Sequence, residues 1–220
     1  MNRAALGARV LLPLVLSTLA LAACTGSLFK SKIVPPATYF LSAEAPPPAA
    51  PRAAPRTGAV TIDMAVLKPR VRTGLESDRI AALYPDRRLE YFAGARWSGP
   101  LDQVVQDLAV QVFHVQPALR NVSADASEFA SAYWLEIEVS DFQAEYAAAA
   151  APTVHVRLQA RVGGAADRRI LGRFEANAHR AASDNRLNAI VDAYARAANA
   201  ALDEIAADVA ETLGKTSEAP

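Results

Sequence analysis

Alternation with a period of two dominates the second half of the chain. Tyr133, Leu135, Ile137 and Val139 alternate with Trp134, Glu136, Glu138 and Ser140. Val154, Val156, Leu158, Ala160 and Val162 alternate with His155, Arg157, Gln159 and Arg161. After Gly163, Gly164 and Asp167, a third run from Ile170 to Ala178 places Arg173, Glu175, Asn177 and then His179 on one face. Successive strand residues point to opposite faces, so each run has an apolar side and a wet side, as in an antiparallel meander covered on one face. Glu136 and Glu138 are expected to pair with Arg157 and Arg161 across the wet side. Upstream, Val60, Ile62, Met64 and Val66 mark a strand ended by Lys68 and Pro69, and the runs 79–83 and 88–92 form a hairpin about Tyr84, Pro85 and Asp86.

Helical spacing appears twice. Leu101, Val104, Val105, Leu108, Val112 and Val115 recur at steps of three and four, with Ser98 as cap, Pro100 in the first turn and Pro117 as the stop. From Asp184 to Leu213 a second stripe includes Leu187, Ile190, Tyr194, Ala198, Leu202, Ile205 and Val209, with Ser183 and Gly214 as caps. At 1.5 Å per residue this helix is about 45 Å long. Its alanine-rich middle admits close approach either to its own sheet, which is favoured, or to another copy. The elements predict an α+β, two-layer domain over 59–214. A mostly antiparallel sheet is covered on one face by two helices, and residues 215–220 form a tail.

The first 58 residues behave differently. Arg3 and Arg9 precede an apolar run, and the uncharged stretch 10–23 is too short for the ~20 residues that span a bilayer. Leu21, Ala22, Ala23 and Cys24 match a bacterial lipobox, so residues 1–23 are expected to be removed as a lipoprotein signal peptide and Cys24 to be acylated. Several acyl chains anchor stably where one does not. Thr25, where an Asp would favour the inner membrane, points to the outer membrane and a periplasm-facing domain. Residues 24–58 then supply a tether, a short edge strand at Tyr39, Phe40 and Leu41, and a Pro/Ala-rich spacer. A Cys24→Ala chain should leave the membrane and stay folded.

Twenty-three basic residues balance 23 acidic ones with no block of like charge, which excludes a nucleic-acid binder working through a basic footprint. One cysteine excludes a disulfide framework, an iron–sulfur cluster and a Cys-rich zinc site. No nucleophile elbow, phosphate loop or paired-histidine zinc helix occurs, so no catalytic residue and no cofactor is expected. A zinc site from His155, His179 and a carboxylate such as Glu175 is disfavoured, because a turn centred near Ala165 would put His155 opposite Glu175 and His179 far along the ladder. Glu136 and Glu138 share a strand face at roughly the separation of glycosidase carboxylates, but a solvated face is the expected explanation.

The lipobox, the 39–41 island, the run Arg72, Thr73, Gly74, Leu75, Glu76, Ser77, Asp78, Arg79, Ile80, the run Leu89 to Trp97 before Pro100, and the closing amphipathic helix together resemble the ABC-type transport auxiliary lipoprotein family. The similarity runs from about Tyr39 to Leu213, and its most specific part is Leu75 to Trp97. The Pro/Ala insert departs from the family habit and leaves the pairing of the first strand open. The resemblance implies a non-enzymatic adaptor of an MCE-type lipid transport system, with an MCE-domain protein and its ABC permease and ATPase as partners. An outer-membrane assembly or lipopolysaccharide-export accessory and a lipid-anchored envelope hydrolase are the alternatives. Tyr91, Trp97 and Trp134 are the candidate docking residues, aromatics being enriched at interface hot spots, and at least one of the two tryptophans should be exposed.

Overall fold

The computed structural model describes residues 35–44, 62–116, 119–124, 130–147 and 151–217. Cys24, the signal segment and most of the spacer lie outside the described residues. The meander follows the alternation: β7 (Tyr133–Glu145) pairs antiparallel with β8 (Thr153–Gly164), and β8 with β9 (Ile170–Ala181). The other edge of β7 is covered in parallel by three short strands laid end to end. These are β2 (Ile62–Val66), β3 (Arg70–Val71) and β4 (Arg79–Leu83), which meet β7 at Met64↔Tyr133, Arg70↔Glu138 and Ala82↔Ala144. Pro69, lacking an N–H, separates the first two. Gly74, with φ +96°, turns the chain between the last two. The hairpin partner β5 (Leu89–Trp97) lies beyond β4, and β6 (Leu119–Ser123) lies parallel beside β2.

The pattern 135, 137, 139 continues as 142 and 144, because the register shifts between Val139 and Asp141. This bulge keeps Leu135, Ile137, Val139, Phe142 and Ala144 all buried on one face and sends Asp141 to the other. On the buried face lie α1 (Leu101–His114) and α2 (Leu187–Ser217), through Val105, Leu108, Phe113, Tyr194, Leu202, Ile205 and Val209. Ala193, Ala197, Ala198 and Ala201 are buried with them, so the small residues of α2 serve contact with its own domain. Trp97, Phe142 and Tyr194 form the aromatic centre, with ring centroids 5.2–6.1 Å apart. The Tyr194 hydroxyl donates to the Ala81 carbonyl, and burial pushes its phenol well above the ordinary range.

The helix ends differ from those the sequence predicts. Ser98 does not cap α1; the Pro100 carbonyl accepts the N–H groups of Gln103 and Val104, and Leu101 donates to the Ser77 carbonyl. Val115, assigned to the apolar stripe, is exposed. The last helix starts at Leu187 rather than Asp184, because β9 runs on to Ala181 and the Ala182 N–H is held by the Pro152 carbonyl. It continues through Gly214, past the predicted cap, to Ser217.

The first strand lies two residues earlier than the expected 39–41, because only Ala37 to Tyr39 find partners on β5, and Phe40 and Leu41 follow it. β1 (Ala37–Tyr39) pairs in parallel with β5, and the residues after it are strapped to the helices. The Ala43 N–H donates to Gln111 Oε1, and the Asn199 amide accepts from the Glu44 N–H and donates to the Ser42 carbonyl, at 3.0–3.1 Å. Asn199 is buried, so these bonds satisfy a polar group that would otherwise be costly there.

Candidate docking surface

The face of the sheet opposite the helices is open, and two different regions occupy it. The first is a lattice of ion pairs along β7. Glu136 lies between Arg70 and Arg161, each 2.8 Å away. Asp141 lies between Arg72 at 3.1 Å and Arg157 at 2.7 Å. The two arginines of β3 and its exit thus close on β7 from one side, and the two of β8 from the other. Arg161 finds Glu136 as expected, whereas Arg157 takes Asp141 instead of Glu138, because the bulge at Ser140 brings Asp141 to this face. Arg70 also approaches Glu138, at 3.8 Å, so the two glutamates form part of a charge ladder. A similar cluster holds β2 to β6: Arg120 and Asn121 both donate to Asp63, and the guanidinium holds that carboxyl below its usual range.

The second region is an apolar groove of about 450 Å³ at the N-terminal end of β7, with Ala65, Leu67, Trp134 and Ile170 along it and Arg168 and Glu136 among its polar residues. Its floor is set by a glycine. The Trp134 ring lies across Gly163, its direct cross-strand partner, and a Cβ there would run into the indole and come within 2.8 Å of the Arg169 carbonyl. The indole N–H donates to the Gly164 carbonyl at 3.0 Å, which fixes the ring. Leu67 and Ile170, 36% and 38% exposed, are two of the four large exposed hydrophobic residues among the described ones. Apolar side chains gathered in a concave, polar-edged setting are what a partner's apolar anchor requires.

The predicted docking aromatics therefore separate. Neither tryptophan is exposed as expected: Trp134 is half-buried, because its ring lies across Gly163, and it belongs to the groove. Trp97 is 1% exposed and touches Phe142 and Tyr194, so no partner can reach it. Its alternation in β5 turned it toward the helices. Tyr91 is half-buried; its hydroxyl donates to the Gly74 carbonyl at 2.7 Å and the Arg79 guanidinium lies 3.8 Å from its ring centroid. It clamps the loop between β3 and β4. Leu67 and Ile170 were missed in the sequence because each sits just outside or at the end of a strand.

The predicted histidine register is also corrected. The β8–β9 ladder is centred near Asp167, two residues later than expected, so His155 faces His179 and Glu175 faces Gln159. Arg168 adopts φ +56° and the Arg169 N–H donates to Asp167 Oδ1, which places the turn there.

A family model described as the ABC-type transport auxiliary lipoprotein component matches residues 39–210, from the end of β1 to the last turns of α2. The chain belongs to this family. Within the matched residues, the Gly74 turn, the Tyr91 clamp and the Trp97 centre all serve the fold. A search of curated proteins finds no match. Among solved structures, a Xanthomonas campestris protein from a domain family of unknown function is 23% identical, with a TM-score of 0.70 over 83% of this chain and 100% of that one. An uncharacterized protein is 14% identical, with a TM-score of 0.61 over 82% and 99% of the two chains. A Chlamydia trachomatis protein is 10% identical, with a TM-score of 0.50 over 70% and 98%. At these identities the likeness is one of fold. No helix among the described residues is long and apolar enough to cross a membrane.

Proposed function

We propose that this auxiliary lipoprotein is a non-catalytic adaptor of an MCE-type ABC transport system, carrying lipid between inner and outer membranes. In this reading acylated Cys24 holds it to the outer membrane, facing the periplasm, and the groove receives an apolar segment of the MCE-domain partner. The observation that carries it is the groove itself: a preformed aromatic floor, two exposed aliphatic walls and a charged edge, in a chain of the transport auxiliary family. The carboxylates of the open face support an adaptor rather than an envelope hydrolase. Glu136 and Asp141 are each held between two arginines.

The test is a photoreactive residue placed at Leu67 or Ile170 in the full-length, membrane-anchored protein. Irradiation of intact envelopes should link it to an MCE-domain protein, and the same residue at Val115 on the opposite side should not. Linkage from Val115 alone, or from neither groove position, would remove the groove from the interface. Cys24→Ala protein remaining in carbonate-washed membranes would refute the anchor.

A further inference from the structure

Far from the groove, at the C-terminal end of β7, the open face carries side chains that docking does not use. His155 and His179 are direct partners across β8 and β9, and their rings stack with centroids 4.0 Å apart. Glu145, on the end of β7, places Oε1 2.9 Å from His155 Nδ1. One donor atom from each of Glu145, His155 and His179 lies within 4.8 Å of the other two.

Hydrogen bonding around His155 defines what fits between them. Its Nε2 lies 2.8 Å from Asn177 Oδ1, which only accepts. With the amide oxygen placed there, the tautomer that satisfies it carries the ring N–H at Nε2, and in a neutral imidazole Nδ1 then presents a lone pair. Yet Nδ1 faces a carboxylate oxygen, an acceptor too when ionised, to which Gln143 Nε2 already donates at 3.0 Å. Two acceptors at 2.9 Å call for a proton or a metal ion between them. A proton would serve that pair alone, but a nitrogen of the second imidazole also lies within 4.8 Å of both, close enough to complete a set of ligands once its ring leaves the stack. Asn177 and Gln143 play the supporting parts usual around a bound metal: one fixes the tautomer by accepting the far ring N–H, the other orients the carboxylate.

We infer that Glu145, His155 through Nδ1, and His179 form a site for a divalent transition ion of the zinc class. Two nitrogens and one oxygen suit that ion, and three protein ligands leave a fourth position for water. Ligand distances near 2.0–2.2 Å bring tetrahedral donors to about 3.4 Å from one another. A ligating imidazole holds the metal in its own plane, so His179, exposed and free to rotate, turns out of its stack on His155 to aim a ring nitrogen at the ion. The ligands stand on three consecutive strands whose backbone register is already set, so binding orders few groups. The bound ion would tie the edge strand β9 to β7 across β8. This site is independent of any docking partner.

The test titrates full-length protein in detergent with zinc chloride against a chromophoric chelator. One equivalent per chain should bind. His155→Ala and His179→Ala should abolish it, and Asn177→Ala should weaken it by about tenfold or more. His114→Ala, on α1, should not change it. Zinc should also raise the melting temperature of the parent and leave His179→Ala where it was. Should the histidine variants fail to fold, Glu145→Gln must weaken zinc by at least about tenfold, the scale of a lost supporting contact. Absence of binding by the parent, or equal binding by the parent and the His155→Ala, His179→Ala or Glu145→Gln chains, would overturn the assignment.

Discussion

The two faces of one sheet each carry a tryptophan, and the contrast between them separates what folds this protein from what it shows to others. On the helix side Trp97 is enclosed by Phe142 and Tyr194, and cohesion comes from apolar burial. On the open side Trp134 rests on Gly163, and cohesion comes from arginines closing on Glu136 and Asp141. A residue type attractive as an interface anchor is thus structural at one position and available at the other, and strand parity decides which.

Four substitutions probe that contrast, in falling order of effect. Trp97→Ala should cost about 3–5 kcal/mol by emptying the aromatic centre, seen as a lower urea midpoint. A loss below 1 kcal/mol would mean the helix side is not the main source of stability. Asp141→Ala leaves Arg72 and Arg157 facing each other without their shared counter-charge. About 2 kcal/mol should be lost, with calorimetry as the measure. Gly163→Ala must displace both the Trp134 ring, held by its N–H bond to the Gly164 carbonyl, and the Arg169 backbone carbonyl, at a cost of about 1–2 kcal/mol. Linkage to a partner from Leu67 should fall with it, and unchanged linkage would separate the groove from the indole.

The smallest effect belongs to the strap. Burial, and then the charge of Glu44, raise the Asp203 carboxyl above its ordinary value. Its ionised form is thus less favourable folded than unfolded, and it costs stability as pH rises through the folded value. Asp203→Asn should therefore stabilise the protein at neutral pH by under about 0.5 kcal/mol, given solvent screening. The gain should vanish in acid, where the parent carboxyl is also uncharged. Urea curves at two pH values check the sign.

The meander, the hairpin, both helices and the faces of their residues were legible because alternation and helical spacing are local. What escaped depends on distant partners. Arg70–Val71 is too short to show a period, and Leu119–Ser123 has a weak one, yet both become strands because β7 and β2 offer them edges. The arrangement of β2, β3 and β4 in series along one strand is non-local in the same way. The bulge at Ser140 left a trace, since apolar Val139 and Phe142 are three apart rather than two. The histidine pair was lost to a turn two residues from its expected centre. Of the docking candidates, Trp134 was visible as an aromatic on a polar face, while Leu67 and Ile170 carried no signal until the sheet brought them together.

The chain has two tryptophans, and the sheet has sorted them into two reporters. Near-ultraviolet excitation of a Trp97→Phe chain would draw emission from Trp134 alone, so that its colour and accessibility to quenchers follow occupancy of the groove. A Trp134→Phe chain would instead emit from the core and follow unfolding. The same pair of conservative changes thus gives separate optical readings of engagement and of integrity, without any attached dye.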